Sequence, residues 1–510
     1  MMDHYHHTEG LKTVRGTRKA IKFGLHIVTW NVGTAAPPDD ITCLLQSESA
    51  TQETDMYVIG WELDFYVTAV HFLATDKVTF TNQTWYLDSL KQSIMSPRSL
   101  QELNSKVSSF LVDMVFDDPW TLCFTKILAP LGYVKISSIR LQGLLLLVYI
   151  KFMHLPFIRD LRSSYTRTGL FGYWGNKGGV ASRLSVYGHL LCFLNCHLPA
   201  HLHNSSQRLG SFQRILDALQ FSSDTATSML DHDLLFWFGD LNFRIADHGL
   251  HFIRESIIKN RFHLLWDKDQ LNKARTVEPV LRGFLEGPLL FKPTYKFNLD
   301  STDYDTSEKR RKPAWTDRIL WRMKERCQDG ESESQGSDAK KPITVTLNIY
   351  DSQMEYGVSD HKPVVGTFCL ELEKRVIQPL VELQPQGKWV PGLDGVISYC
   401  VADDYPSSLW DWIGLYKFGF RTPQDYVTYL WVKDDQLAVH EDVYEVYLSG
   451  EDIPQAGGEF VLCYYSSNID SIVGVSSLFQ IVPECAENPL EMDTRTEMRC
   501  APACGDSDTC

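Results

Sequence analysis

The residues with the most chemical capacity sit where apolar runs end. Asp240 and Asn242 close the stretch Leu234–Arg244, LLFWFGDLNFR, whose apolar run stops at Gly239. In an extended chain alternate residues point the same way, so this pair faces one spot. An Asp there takes a proton or holds an attacking water, and an Asn donates a hydrogen bond to a phosphoryl oxygen. Taken alone, the pair reads more readily as a strand entering an Asx turn. Other polar groups end or border runs in the same manner: Asn31 after LHIVTW, Glu102 in LQELNS, His197 after LLCFLNC, Asp317 in PAWTDR, and Asp360-His361 in GVSDHKP. Singly, each is ordinarily structural, and a His after a strand is usually a packed or capped one. Together they supply oxygen ligands for a hard divalent ion, a water-orienting carboxylate and two histidines, the set needed for metal-assisted phosphoester hydrolysis.

Cationic motifs add a substrate preference. Gly175-Asn176-Lys177-Gly178-Gly179 lets backbone approach a phosphate while Lys177 supplies charge. Tyr295-Lys296 and Lys309-Arg310-Arg311-Lys312 bring more, and the second run leads directly into Pro313-Ala314-Trp315-Thr316-Asp317-Arg318. The chain as a whole carries a net charge of −15, which argues against broad nucleic-acid binding because that needs a basic face. An acidic protein with cations gathered near one pocket suits a small polyanion.

The elements that must position these groups follow from periodicity. Strands are expected at Leu25–Trp30, Met56–Gly60, Tyr133–Ile139, Leu144–Lys151, Val180–Val186, Leu190–Asn195, Leu234–Phe238, Ala314–Arg322, Thr344–Tyr350 and Pro363–Glu371. Helices are expected at Ile41–Gln46, at Val107–Leu131 with an interruption near Pro119, at Gln207–Gln220, and near 247–260 and 278–286. From Trp389 short strands rich in Tyr, Trp and Val alternate with turns, which is the pattern of an all-β, Ig-like sandwich. The 510 residues thus divide into a disordered basic stretch 1–23, a catalytic unit 24–372, a linker 373–388, a β-sandwich 389–482 and an acidic tail 483–510. Within the catalytic unit, 327–341 reads as a solvated loop. The longest apolar run, Leu144–Ile150, is a core strand and not a transmembrane segment. The basic residues near the start precede no apolar signal core, and the 12 cysteines show no paired CxxC spacing, so the thiols read as reduced and cytosolic. Cys500, Cys504 and Cys510 read as loose tail thiols.

With these motifs assembled, the sequence resembles the inositol polyphosphate 5-phosphatases over residues 25–371, through TWNVG, LQELNS, GLFGYWGNKGG, NCHLPAH, WFGDLNFR, FKPTYKF, RKPAWTDRIL and GVSDHKPV. WDWIGLYKFGF and EFVLCYYS resemble the SKICH domain. The resemblance implies an α/β sandwich of the endonuclease/exonuclease/phosphatase type, two packed sheets flanked by helices, followed by a SKICH-like sandwich. It implies Mg²⁺ held by Asn31 and Glu102. Asp240 would activate the water, Asn242 would contact the scissile phosphate, and His197 and His361 would stabilise phosphoryl oxygens. Asp317 would orient His361, with Asp360 beside the metal and phosphate. Tyr295, Lys296, Lys309 and Arg311 would hold a 4-phosphate, and Asn176 and Lys177 a 1-phosphate. Phe171, Tyr173 and Trp174 would either enter a lipid interface or form an aromatic cluster. The implied substrates are phosphatidylinositol 4,5-bisphosphate, phosphatidylinositol 3,4,5-trisphosphate and soluble inositol 1,4,5-trisphosphate. The SKICH-like part would bind protein partners and place a peripheral enzyme at the endoplasmic reticulum and plasma membrane.

One stretch departs from the family. Trp61–Ser99 separates MYVIG from LQELNS, which the family joins directly, and it reads as a splice or gene-model addition. Glu62 is expected to be a poor replacement for Glu102. It falls one residue closer to Gly60 than the family Glu, and a one-residue shift in a strand reverses the side faced. Two rival readings accompany the phosphatase: a catalytically impaired phosphoinositide-binding scaffold, and a phosphodiesterase of the same fold.

Overall fold

The computed structural model describes residues 20–45, 53–63, 118–169, 176–221, 228–324, 343–403, 405–432, 437–440 and 443–483. The catalytic unit contributes β1 (Ala20–Gly33), β2 (Met56–Leu63), β3 (Tyr133–Leu141), β4 (Leu144–Lys151), β5 (Ile158–Arg167), β6 (Gly178–Val186), β7 (His189–His197), β8 (Leu234–Asp240), β9 (Leu285–Glu286), β10 (Asp317–Met323), β11 (Ile343–Ser352) and β12 (Val364–Glu373). They form two 6-stranded sheets, in the orders β11-β12-β1-β2-β4-β3 and β5-β6-β7-β8-β10-β9. Parallel pairs occur at β1–β2 and β7–β8, and the other pairs are antiparallel.

Alternation along the strands assigns their two faces. Leu25, Ile27, Met56, Val58, Phe193, Phe236, Phe238, Ile319 and Trp321 share one buried cluster between the sheets. The intervening residues point outward under helices. Val28, Trp30, Ile59 and Trp61 pack with Trp120 and Phe124 of the helix Pro119–Leu128. Leu194, Leu235 and Trp237 pack with Phe212 and Ile215 of the helix Ser205–Ala218, with Phe212 stacked on Trp237 at 3.8 Å. Each sheet therefore has one face on the shared core and one under a helix, which is the expected α/β sandwich.

Several expected boundaries move. Pro119 starts a helix where the sequence suggested an interruption: Asp118 caps it by accepting from the Trp120 and Thr121 N–H groups, and proline suits the first turn. Residues 20–23, assigned above to the disordered N-terminal stretch, belong to β1 because they pair with β12 from Ala20↔Glu373 onward. The helix expected near 278–286 is instead Gln270–Val277, followed by one turn at Pro279–Leu281 and then β9. Trp61–Leu63, counted above within the family-foreign stretch, extend β2, and Trp61 and Glu62 pair with β4. Glu102, Phe171, Tyr173, Trp174 and the loop 327–341 lie outside the described residues.

The C-terminal unit comprises β13 (Val381–Gln386), β14 (Gly395–Val401), β15 (Trp412–Lys417), β16 (Thr428–Trp431), β17 (Leu437–His440), β18 (Val443–Leu448), β19 (Gly458–Ser466), β20 (Ser471–Val475) and β21 (Phe479–Ile481). One sheet runs β13-β14-β18-β17 and the other β16-β15-β19-β20, with β21 on β19, around Trp389, Ile397, Ile413, Val446 and Leu462. β13 falls inside the stretch read as a linker and starts the sandwich early. The unit docks on the catalytic one. Ser471 Oγ donates to the Ile158 carbonyl at 3.1 Å, Lys135 N–H to the Arg421 carbonyl at 2.8 Å, and Phe152 meets Phe418 edge-on at 5.9 Å. No helix among the described residues is long and apolar enough to cross a membrane.

Candidate active site

The inner-face alternation that builds the core also delivers the site. Counting on from Leu25 and Ile27, β1 turns Asn31 inward. From Met56 and Val58, β2 turns Gly60 and Glu62 inward. β7 carries Asn195 and His197 in phase with Phe193, β8 carries Asp240 in phase with Phe236 and Phe238, and β10 begins at Asp317 in phase with Ile319. Register then sets the neighbours. Asn31 pairs with Glu62 across β1–β2, and Asp317 pairs with Asp240 across β10–β8. A row of apolar side chains between two sheets thus gives way, at one end, to a row of amides, carboxylates and histidines.

Asp240 is the hub. Its Oδ2 accepts from Asn31 Nδ2 at 3.0 Å and lies 3.4 Å from His197 Nε2. Its Oδ1 accepts from the Asn242 N–H at 3.2 Å, and its own N–H donates to Glu62 Oε1 at 3.3 Å. Gly239 makes this approach possible: it has φ 126°, and a Cβ there would stand 2.1 Å from the Cys196 carbonyl oxygen. Burial alone would raise the Asp240 carboxyl, but His361, His197 and Lys177 outweigh it and hold the group below the usual carboxylate range.

Asn242 does not reach the site by strand alternation. β8 ends at Asp240, Asn242 adopts φ 59°, and the contact from its N–H to Asp240 makes an Asx turn. The Asx turn expected for Asp240-x-Asn242 is present, and the alternation expected to aim Asn242 with Asp240 is not. Asn242 Nδ2 donates to the Leu198 carbonyl at 3.1 Å, and its Oδ1 accepts from the Arg244 guanidinium.

His361 and Asp317 form a buried pair, with Nδ1 2.9 Å from Asp317 Oδ2. The hydroxyls of Thr294 and Thr316 donate to the same oxygen at 2.6 and 2.8 Å, which fixes the carboxylate plane. Burial opposes a charged His361, yet Asp317 and then Asp240 push it up to about 9. His197 goes the other way: burial and the adjacent Lys177 ammonium hold it below its ordinary value despite Asp240. At neutral pH one histidine is a cation and the other is neutral. Glu62 is raised well above the usual range, first by burial and then by Asp240 and Asp317.

Of the cationic residues, Lys177 and Lys296 meet other predicted site residues. Lys177 contacts His197, with Asn176 next to it and half-buried. Lys296 pairs with Asp360, so these two predicted site residues meet each other. Lys309 and Arg311 are exposed, and the Arg311 N–H is anchored on Asp305 Oδ2 at 2.7 Å. Tyr295 lies 4.7 Å from the His361 ring and under the Arg244 guanidinium at 4.1 Å. Arg244, Thr294 and Thr316 escaped the sequence reading. Arg244 was visible in WFGDLNFR, but its partner Tyr295 is distant in sequence. Glu62 was assigned to the wrong side because its phase was counted from a motif rather than from Met56, Val58 and Gly60.

The donors fit a hard divalent cation. Asn31 and Glu62 offer oxygen ligands side by side, and Glu62 Oε2 is buried with no hydrogen-bond partner among the described residues. Ligand atoms of Asp240, Asp317 and His361 lie within 4.8 Å of one another, and the Asp240 carboxylate adds negative charge beside Asn31.

Two packed mixed sheets whose strand ends converge on such a set define a phosphoesterase of the endonuclease/exonuclease/phosphatase class. Accordingly, the model of Endonuclease/Exonuclease/phosphatase family 2 matches residues 28–367, and that of the SKICH domain matches 381–481. Mouse inositol polyphosphate 5-phosphatase K is 45% identical over 463 residues, covering 91% of this chain and 90% of the relative. Human phosphatidylinositol 4,5-bisphosphate 5-phosphatase A is 45% identical over 465 residues, covering 90% of this chain, and the chain spans 42% of that longer protein. The chain belongs to the inositol polyphosphate 5-phosphatase family and is a phosphoric monoester hydrolase. Among solved structures, the 5-phosphatase domain of a synaptojanin, in complex with inositol (1,4)-bisphosphate and calcium, aligns with 27% identity over 69% of this chain and 86% of its own, at a TM-score of 0.49.

Proposed function

We propose that this chain hydrolyses the 5-phosphate of inositol lipids and soluble inositol polyphosphates that also carry a 4-phosphate. The substrates are phosphatidylinositol 4,5-bisphosphate, phosphatidylinositol 3,4,5-trisphosphate and inositol 1,4,5-trisphosphate, with Mg²⁺ as the cation. The observation that carries the reading is Asp240, held ionised between Asn31 and His197 and facing the Asp317–His361 pair. The names of the relatives, which are 5-phosphatases of inositol phosphates and of phosphatidylinositol 4,5-bisphosphate, support it.

An ionised Asp240 accepts a hydrogen bond from a water and aims its lone pair in line with the phosphorus–oxygen bond to be broken. His361 commits Nδ1 to Asp317, so its Nε2–H is left to meet a phosphoryl oxygen as a cationic donor. Neutral His197 and the Asn242 side chain complete the polar wall. Mg²⁺, held by Asn31 and a neighbouring carboxylate, would supply positive charge to the phosphoryl and leaving oxygens. Water displaces the inositol directly, without a phosphoenzyme. Lys296, Lys309, Arg311 and Tyr295 select the 4-phosphate, and Asn176 and Lys177 the 1-phosphate. The SKICH-like unit recruits protein partners and keeps the enzyme peripheral at the endoplasmic reticulum and plasma membrane.

The test is phosphate release from vesicles containing phosphatidylinositol 4,5-bisphosphate, with and without Mg²⁺, beside abasic DNA and sphingomyelin as controls. Mg²⁺-dependent release from the lipid alone is expected. Cleavage of either control, or no release from the lipid, refutes the reading.

A further inference from the structure

Glu62 combines three independent observations. By register it stands directly beside Asn31, on parallel neighbouring strands. By phase it continues the inward row Met56, Val58 and Gly60, while Trp61 faces out and stacks on Phe124 at 5.5 Å. By contacts it is only half used. The side chain is 1% exposed, Oε1 accepts from the Asp240 N–H, and Oε2 is buried without a hydrogen-bond partner among the described residues. A buried carboxylate oxygen is costly unless a cation or a proton takes it. Here the group that holds Oε1 is the backbone of the hub residue itself.

The strand cannot easily offer a different residue. β2 stays paired with β4 through Glu62↔Leu144, and the Leu63 N–H donates to the Gly143 carbonyl at 2.6 Å. Slipping β2 by one residue would drive Trp61 into the site and strip it from Trp120 and Phe124.

We propose that Glu62, rather than Glu102, is the carboxylate that holds the divalent cation together with Asn31. The proposal rests on the metal-dependent phosphatase reading and deepens it. This chain encodes its acidic ligand at the very start of the family-foreign stretch, in the tripeptide Trp61-Glu62-Leu63, so the residues that follow need not return to the site to supply one. Glu62 Oε2 is the ligating atom, and the Asp240 N–H orients the carboxylate through Oε1, as outer hydrogen bonds commonly orient ligands.

The test uses the full-length chain and its Glu62→Gln and Glu102→Gln variants, each titrated with Mg²⁺ and with Ca²⁺ by calorimetry. The rise in melting temperature on adding metal is read in parallel, and phosphate release is read separately. Glu62→Gln is expected to weaken metal binding at least about tenfold and to abolish the metal-induced rise. Glu102→Gln is expected to bind metal like the parent. Glu62→Gln should melt no lower than the parent in the absence of metal, which separates lost ligation from lost folding. If Glu62→Gln unfolds, Glu62→Asp decides: a weakened metal response with the metal-free melting point kept supports the proposal, and an unchanged response overturns it. Loss of metal binding in Glu102→Gln also overturns it, as does retention in Glu62→Gln. A parent protein that neither binds metal nor releases phosphate overturns the phosphatase reading itself, a different result from a parent that binds metal while Glu62→Gln does too.

Discussion

Replacing Asp317 by Asn isolates what the buried carboxylate does for His361. The substitution keeps the shape and leaves an oxygen to accept from the Thr294 and Thr316 hydroxyls, now at 2.6 and 2.8 Å. The negative charge is lost, and the other oxygen becomes an NH2 group that donates instead of accepting. In the parent, burial works against the imidazolium, and Asp317 is the foremost of the groups that overcome it and set the pKa at about 9 against an ordinary 6.5. That difference corresponds to ~3 kcal/mol favouring the charged form, with Asp317 the largest favourable contribution. A folded-state pKa above the unfolded value stabilises most at low pH. The contribution is complete below 6.5, shrinks as pH rises, and is gone above about 9. Two measurements follow. The kcat/KM of the parent on inositol 1,4,5-trisphosphate should fall on the alkaline side near 9, and in Asp317→Asn that limb should move to 6.5 or below, with turnover already reduced at neutral pH. Urea midpoints should separate parent and variant below pH 6.5 and converge above about 9. An alkaline limb that stays in place in the variant, or a stability gap independent of pH, would refute the assignment of His361 as a cation held by Asp317.

Other expectations are more local. Arg318 is fully buried and binds Glu286 at 2.6 and 2.7 Å, Asp269 at 3.0 Å and Asn272 at 3.1 Å, so Arg318→Ala strands two buried carboxylates; a loss of roughly 3–5 kcal/mol is expected in urea unfolding. Gly239→Ala should cost at least ~2 kcal/mol and suppress activity, because of the positive φ and because the added Cβ meets the Cys196 carbonyl; a normal melting curve would count against that. Lys309→Ala, at an exposed position, should leave stability within ~0.5 kcal/mol and raise KM about tenfold for substrates with a 4-phosphate. An equal effect on substrates lacking that phosphate would show that Lys309 does not recognise it.

The sequence alone determined where the chain stops being core and becomes chemistry. Asn31, His197, Asp240 and Asp317 are legible because each closes or opens a strand, and alternation is a local property that needs no partner to be read. The second unit was legible for the same reason, from short strands recurring at turn spacing. What needed more than one segment was read less well. The linker misplaced the start of the sandwich because Val381–Gln386 is a strand only by virtue of its pairing with β14. Ala20–Phe23 follow a polar, basic stretch directly and pass for its end until β12 gives them hydrogen-bond partners.

Only the tertiary structure decided which strand ends share a site and in what order. The β10–β8 register sets Asp317 against Asp240, Arg244 finds Tyr295, and Lys296 turns to Asp360. It also reversed the side assigned to Glu62. A family motif counts residues from Gly60, but a strand obeys the face on which its own apolar residues are buried. Met56 and Val58 face the core between the sheets, so Glu62 must face there too, beside Asn31.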